Sequence, residues 1–287
     1  MSGCRATAGG GMNGPPLNAA PFTLGPALLF CPADRPDRYG RALDRADAAI
    51  IDLEDAVTPA NRVAAREALI AHPQDPARTI VRVNPLSSPD HALDLAALAE
   101  TSYRTIMVPK AESATALAGL DGFAVVALCE SAAGVIAAAE IAAVDTVVAL
   151  MWGAEDLIAS LGGTSSRRAD GAYRDVARYA RAQVLLAAGA HGKAAIDTVH
   201  LDIADLVGVS AEAEDAAASG YAATACIHPS HVEPIRRAYR PSDAEITAAT
   251  DILQAAKSQP GVFQHHSQMI DAPLLRHAEA VLRRAGI

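Results

Sequence analysis

Charged side chains in this chain stand directly after short apolar runs. AVVALC (124–129) is followed by Glu130, and TVVALM (146–151) runs into WGAED, which carries Glu155 and Asp156. If both runs are strands of one parallel sheet, Glu130 and Asp156 end neighbouring strands and can converge on one hard cation. Mg²⁺ takes oxygen ligands and keeps several positions for water or substrate oxygens, so two carboxylates leave room for a bidentate substrate. Basic residues supply the complement. Arg35 follows ALLF (27–30) in CPADR, and Arg82 lies within TIVRV (79–83). A guanidinium fork binds carboxylates and polarised carbonyls. A metal flanked by Arg35 and Arg82 suits an anionic substrate with an oxygen that gains charge during reaction. No HxxxH, Cys₂His₂ or two-His-one-carboxylate pattern occurs, which disfavours zinc and non-haem iron.

The same placement recurs along the chain. Glu54 and Asp55 follow AAIIDL (48–53), Asn84 precedes Pro85, Lys110 follows TIMV (105–108), Asp197 follows KAAI (193–196), and His228 follows YAATACI (221–227). Each has an ordinary structural use. Arg35 and Lys110 serve equally as surface charges, and Asp197 as half of an ion pair. Glu54 or Asp55 caps a turn, Glu130 is an acid near a helix N-terminus, and His228 orients a loop before Pro229. A polar group after nearly every run, however, is more than solubility requires.

The elements that must position these groups are read from hydropathy. Eight apolar runs alternate with Ala-rich stretches at helical spacing, such as NRVAAREALIAH (61–72) and AAGVIAAAEIAA (132–143). Near-continuous apolar strands belong to parallel sheets covered on both faces. Eight strand–helix repeats predict a (β/α)₈ TIM barrel, whose strand C-termini all open onto the face that carries the active site. Residues 1–22 read as a flexible N-terminal tail without a signal-peptide core, with Met12 as an alternative start. Residues 23–240 read as the barrel and 241–287 as a C-terminal helical extension. Within the extension, helices are expected at 243–257 and 273–285, joined by a loop over 259–273.

Composition bounds the function. The 287 residues are 51% hydrophobic but only 4% aromatic, so the core must be Ala, Val, Leu and Ile. A net charge of −9 argues against a nucleic-acid footprint. No run of about 18 apolar residues predicts a membrane span. Cys4, Cys31, Cys129 and Cys226 form no CxxC pair and read as reduced thiols of a cytoplasmic protein. The loop LGGTSSRRADG (161–171) offers Arg167 and Arg168, either to phosphates at the barrel mouth or simply to solvent.

Together the motifs carry a family resemblance. FCPADRPDR, IIDLEDAV, VRVN, VPKAES, LCESAAG, MWGAEDL, CIHPS and QMIDAP recur in this order in the citrate lyase β-subunit-like (CitE-like) proteins of the HpcH/HpaI aldolase and malyl-CoA lyase group. The chain resembles them from Leu28 to Arg284, and most of all the stand-alone actinobacterial type. The resemblance implies a Mg²⁺-dependent carbon–carbon lyase, with Mn²⁺ as a substitute. Its substrate would be a CoA thioester of the citramalyl-CoA or malyl-CoA type, cleaved to an acyl-CoA and a 2-oxo acid or formed in reverse. It further implies Glu130 and Asp156 as metal ligands and Arg82 on the reacting oxygens. Arg35 would meet substrate or CoA, with Lys110 also at the substrate, and Asp55 would support the metal waters or the arginine. Asp271 of QMIDAP would be an acid/base reaching an adjacent protomer of a homotrimer or dimer of trimers. Three alternatives use the same residues: an acyl-carrier-dependent citrate lyase β subunit, a CoA-independent class II aldolase, and a non-catalytic barrel. CPADR and MIDAP speak against the aldolase, and the complete acidic and basic set against the non-catalytic barrel.

Overall fold

The computed structural model describes residues 22–259 and 261–287. The expected flexible tail thus lies, but for residue 22, outside the described residues. Eight parallel strands follow one another as a closed barrel: β1 (Ala27–Pro32), β2 (Ala48–Asp52), β3 (Thr79–Arg82), β4 (Thr105–Val108), β5 (Ala124–Cys129), β6 (Val147–Trp152), β7 (Ala194–Asp197) and β8 (Ala223–Cys226). The expected (β/α)₈ class is what the chain adopts. Each expected run matches a strand to within a few residues, because a fully covered strand leaves a run of Val, Ile, Leu and Ala with no polar face. Among the described residues, no helix is long and apolar enough to cross a membrane.

The chain forms two compact units, one including Pro32–Pro36 and Ile51–Ala195, the other Leu24–Cys31, Asp37–Ile50 and Ile196–Ile287. In the first, β3 to β6 pair in sequence order. The register sets Cys129 beside Trp152, so the next residues, Glu130 and Gly153, leave the sheet side by side. The helices after β4 and β5 start at side-chain caps. Ser131 accepts from Gly134 N–H at 3.1 Å, and Ser113 from Ala116 N–H at 3.3 Å. Such caps satisfy donors that the first helical turn leaves without partners. Residues 132–143, expected as one helix, form two short ones, Ala132–Ile136 and Ala138–Ala142, meeting at Ala137 with ψ near 0°. Neither proline nor glycine marks that break.

A buried ionic network anchors the end of β3. Asp94 is fully buried on the helix Pro89–Ala99. It accepts from Arg66 Nε at 2.7 Å, from Asn84 N–H at 2.7 Å and from Asn84 Nδ2 at 2.8 Å. Arg66, on the helix Arg62–Ala71, also binds Asp90, to which Arg62 donates at 2.6 Å. Asn84 donates in addition to Leu53 O at 3.0 Å. Asn84 is thus a structural tie between two strand ends.

In the second unit β1, β7 and β8 pair in parallel, with β8 between the other two. The helices Asp243–Ser258 and Ala272–Ala285 pack through Ala249, Ala278 and Val281. A Ser242–Glu245 capping box starts the first of them, satisfying two donors reciprocally. The stretch expected as a loop holds an antiparallel hairpin, β9 (Phe263–His265) and β10 (Gln268–Ile270). Its turn residues His266 and Ser267 have φ of 43° and 64°. A tight hairpin turn demands this left-handed backbone, which is usually supplied by Asn-Gly, so the sequence carries no conventional turn signal there.

Asp94→Ala removes the acceptor shared by Arg66 and Asn84 and leaves buried donors without it. It should destabilise the protein by about 3 kcal/mol or more. Urea unfolding followed by circular dichroism measures this, and a loss below about 1 kcal/mol would show the network to be dispensable.

Candidate active site

Asp52, the last residue of β2, is almost fully buried and organises the turn after its strand. Its carboxylate accepts from Glu54 N–H at 2.9 Å and Ala56 N–H at 3.0 Å, which sets the LEDAV turn. It also accepts a two-pronged contact from Arg82, with Nε at 2.7 Å and Nη2 at 2.6 Å. The fork fixes the guanidinium in one plane. Its third nitrogen, Nη1, lies 3.0 Å from Glu54 Oε2 and 3.8 Å from Asp55 Oδ2. Burial opposes the charge of Arg82, but Asp52, Glu54 and Glu130 outweigh it and hold the group protonated well beyond its ordinary range.

Lys110 stands after β4 with a left-handed backbone, φ 50°. That turn aims its own N–H at Glu130 Oε1, 3.1 Å away. Its ammonium donates to Glu54 Oε1 at 2.6 Å and lies 3.9 Å from Glu130 Oε1 and 3.7 Å from Asp156 Oδ1. Burial would lower its pKa, but the bond to Glu54 and the surrounding carboxylates push it up to about 12. Glu54 is itself raised, by burial first, with Arg82 and Lys110 opposing.

Glu130 is only 3% exposed. Its pKa is pushed up to about 8, by burial first and by the nearby Asp156 second, against Lys110 and Arg82. Room for the side chain comes from Gly153. A Cβ there would stand 2.8 Å from Glu130 Oε2 and 2.9 Å from Glu130 Cβ. Asp156 lies in the first turn of the helix Ala154–Ser160, with a side chain 41% exposed. The companion acid Glu155 accepts from Ser166 Oγ at 2.5 Å.

The donor set fits a hard divalent cation. Asp52, Glu54, Asp55, Glu130 and Asp156 are carboxylates, against the two cations Arg82 and Lys110. Glu130 in particular is a buried acid whose ionisation its surroundings disfavour, so a cation would relieve it. Among the described residues no three His, Cys, Asp or Glu side chains are arranged as a metal shell. Glu130 and Asp156 would therefore leave most of the shell to water and substrate oxygens, as Mg²⁺ prefers. The thiol next door does not compete, because burial pushes Cys129 up to about 12 and keeps it protonated.

Of the residues singled out in the sequence, Asp55, Arg82, Lys110, Glu130 and Asp156 are thus brought together. Arg35 is exposed, and its N–H bonds Pro32 O at 3.1 Å in the turn after β1. Asp271 belongs to the second unit and caps the helix Ala272–Ala285, accepting from Leu274 N–H at 3.3 Å. Asp197 accepts from Thr198 N–H at 3.0 Å. His228 accepts from Ser230 N–H at 3.2 Å, which is the loop-orienting use. In the loop after β6, Arg167 stacks 3.9 Å over the Tyr173 ring and Arg168 pairs with Asp175 at 2.9 Å. Sequence reasoning missed Asp52. The signal was there: a carboxylate closing an otherwise apolar buried strand needs a partner.

Relatives match this chain over nearly its whole length. A citrate lyase subunit β-like protein of Mycobacterium tuberculosis (strain CDC 1551 / Oshkosh) is 56% identical, covering 91% of this chain and 96% of the relative. The crystal structure of CitE from M. tuberculosis in complex with magnesium, acetoacetate and coenzyme A superposes with a TM-score of 0.87 at 55% identity, over 92% of this chain and 99% of that one. Human mitochondrial citramalyl-CoA lyase is 29% identical over 88% of this chain and 83% of its own length. With the family model matching residues 27–229, this chain belongs to the HpcH/HpaI aldolase/citrate lyase family.

Proposed function

We propose that the chain is a divalent-metal-dependent carbon–carbon lyase acting on a β-hydroxyacyl-CoA whose hydroxyl-bearing carbon also carries a carboxylate. The observation that carries this reading is the pairing of a buried acid, Glu130, with Asp156 beside an arginine locked by Asp52. Support also comes from relatives: M. tuberculosis CitE is solved with magnesium and coenzyme A, and a human relative is a citramalyl-CoA lyase. Glu130 and Asp156 would hold Mg²⁺, or Mn²⁺ in its place. When bound, the metal supplies Lewis acidity toward the substrate's carboxylate and hydroxyl oxygens.

The chemistry asked of the chain is a retro-Claisen cleavage. The hydroxyl loses its proton, its electron pair forms the new carbonyl, and the bond to the α-carbon of the thioester breaks. A 2-oxo acid leaves, and the thioester half is an enolate until its carbon is protonated. Arg82 matches the developing enolate oxygen, since its plane is fixed before substrate arrives and no reorganisation is needed. Asp55, 3.8 Å from Arg82, helps hold that guanidinium. Lys110 and Arg35 contribute positive charge toward the anionic substrate and the CoA phosphates. Asp271 would be the acid/base, delivered by residues 241–287 of a neighbouring subunit in a cytoplasmic homotrimer or dimer of trimers. The reverse direction condenses acetyl-CoA with glyoxylate or pyruvate.

The test is turnover of citramalyl-CoA and malyl-CoA by the purified protein, with and without Mg²⁺. Turnover of at least one, abolished by EDTA and restored by Mg²⁺, is expected; none with either thioester would defeat the reading. Glu130→Gln keeps shape and removes charge, and should lower kcat by about 10³-fold or more with circular dichroism unchanged. Near-normal kcat at limiting Mg²⁺ would remove Glu130 from the ligand set.

Arg82→Lys replaces the fork by a point charge. The expected result is a loss of about 10²-fold in kcat with the fold retained. A lysine variant within about threefold of wild type would sink the assigned role.

Asp271→Ala and Glu130→Ala should each be inactive alone. If Asp271 serves a neighbour's site, mixed oligomers regain activity, because some interfaces join an intact metal site to an intact Asp271. Co-expression with two different affinity tags isolates the mixed species. No recovery in verified mixed oligomers would leave Asp271 as the helix cap seen at 3.3 Å from Leu274 N–H.

A further inference from the structure

Lys110 contacts Glu130 in two opposite senses. Its main-chain N–H donates to Glu130 Oε1 at 3.1 Å and orients the carboxylate. Its ammonium lies 3.9 Å from the same oxygen and 3.7 Å from Asp156 Oδ1, occupying the field that a divalent cation would use. The shorter contact is to Glu54 Oε1 at 2.6 Å, and Glu54 Oε2 faces Arg82 Nη1 at 3.0 Å. Oε1 of Glu54 is thus held by the ammonium, while Oε2 lies beside the guanidinium without a hydrogen bond. Three carboxylates surround one ammonium, yet only Glu130 and Asp156 remain for another positive charge. The Lys110 side chain is 37% exposed and has space to withdraw, whereas Glu54 is 4% exposed and has none.

We infer that Lys110 is a positioning residue that excludes Glu54 from the metal shell and competes with the divalent ion for Glu130 and Asp156. This rests on reading those two acids as the cation ligands. The consequence is a shell held at two protein carboxylates. A third carboxylate would bind the ion more tightly but cancel more of the positive charge that a substrate oxygen must feel. Lys110 thus trades metal affinity for charge left on the metal, and Glu54 is the tether that keeps the ammonium to one side. The inference differs from a direct substrate contact, which would leave metal binding by the free protein unchanged.

The experiment is calorimetric titration of the apo full-length protein with Mn²⁺ and Mg²⁺, without substrate. Lys110→Met keeps the side-chain length and the main-chain N–H but removes the charge. It should tighten Kd about fivefold or more, since it removes a positive charge 3.9 Å and 3.7 Å from the carboxylate oxygens that would hold the ion. Lys110→Arg, which keeps the charge, should stay within about twofold of wild type. Glu54→Gln loosens the tether, lets the ammonium move onto Glu130 and Asp156, and should weaken Kd by about fivefold. In the Lys110→Met background Glu54 is released to join the shell, so the same Glu54→Gln change should undo much of the gain that Lys110→Met brings. Unfolding midpoints by circular dichroism verify that each variant is folded. A folded Lys110→Met protein whose Kd is unchanged or weaker would overturn the inference, and so would a Lys110→Met gain that survives Glu54→Gln in full. Failure of the wild-type protein to bind either metal would instead remove Glu130 and Asp156 as ligands and take this role with them.

Discussion

The fork between Arg82 and Asp52 is the interaction on which the site depends. Both groups are buried, and a guanidinium so placed is tolerated only when its donors are satisfied. Asp52 meets Nε and Nη2 in the plane of the guanidinium, so the direction of Nη1 is no longer adjustable. The same carboxylate ties down the backbone of Glu54 and Ala56, which fixes where Glu54 and Asp55 stand relative to the arginine. One acid therefore sets the turn after β2 and the orientation of a residue on β3. Such a pair contributes little net stability once desolvation is counted. Its value lies in a rigid donor that needs no rearrangement when charge develops nearby.

From that fixed point the other charges divide into two kinds. Glu54 lies between Arg82 and Lys110, whose charges oppose the upward push of burial on its carboxyl. Glu130 is pushed up to about 8, by burial first and by the neighbouring Asp156 second, against Lys110 and Arg82. An acid raised by burial and by a like charge is a poor structural choice, and such shifts collect where chemistry is done. The division comes from chain geometry. Lys110 reaches across to Glu54 because its left-handed turn directs the main chain, not the side chain, at Glu130.

Much of this was legible in the sequence, for a physical reason. Strands covered on both faces must be apolar throughout, so β5 and β6 are visible as AVVALC and TVVALM, and the acids after them stand out. Arg82 was visible as a charge inside an apolar run. Asp52 was not picked out, because LEDAV directs attention to the residues past the strand, although Asp52 and Glu54 share the parity that puts them on one side. Asn84 looked like a site residue, but its partner Asp94 lies ten positions on, in a helix whose buried face no periodicity identifies as ionic. The hairpin of β9 and β10 was hidden by a turn of His266 and Ser267, which lacks the Asn-Gly or Asp-Gly pair that usually signals such a turn. The roles proposed for Arg35 and Asp271 would need a ligand and a neighbouring subunit, which local patterning does not encode.

The strand-to-helix turns place the two acids side by side at backbone that is rich in N–H donors. Asp156 sits in the first turn of the helix Ala154–Ser160, where main-chain N–H groups point outward and favour negative charge. Glu130 immediately precedes Ser131, the cap of the helix Ala132–Ile136, and receives the N–H of Lys110 as well. Gly153 completes the arrangement, since any larger residue would push against the Glu130 side chain. The motif MWGAED can then be understood residue by residue. Trp152 ends the strand in register with Cys129, Gly153 yields its volume to the neighbouring acid, and Asp156 arrives one turn later. The spacing between strand end and acid is set by that turn. Shortening it would move Asp156 to another face of the helix, and lengthening it would carry the carboxylate beyond the N-terminal turn that favours its charge.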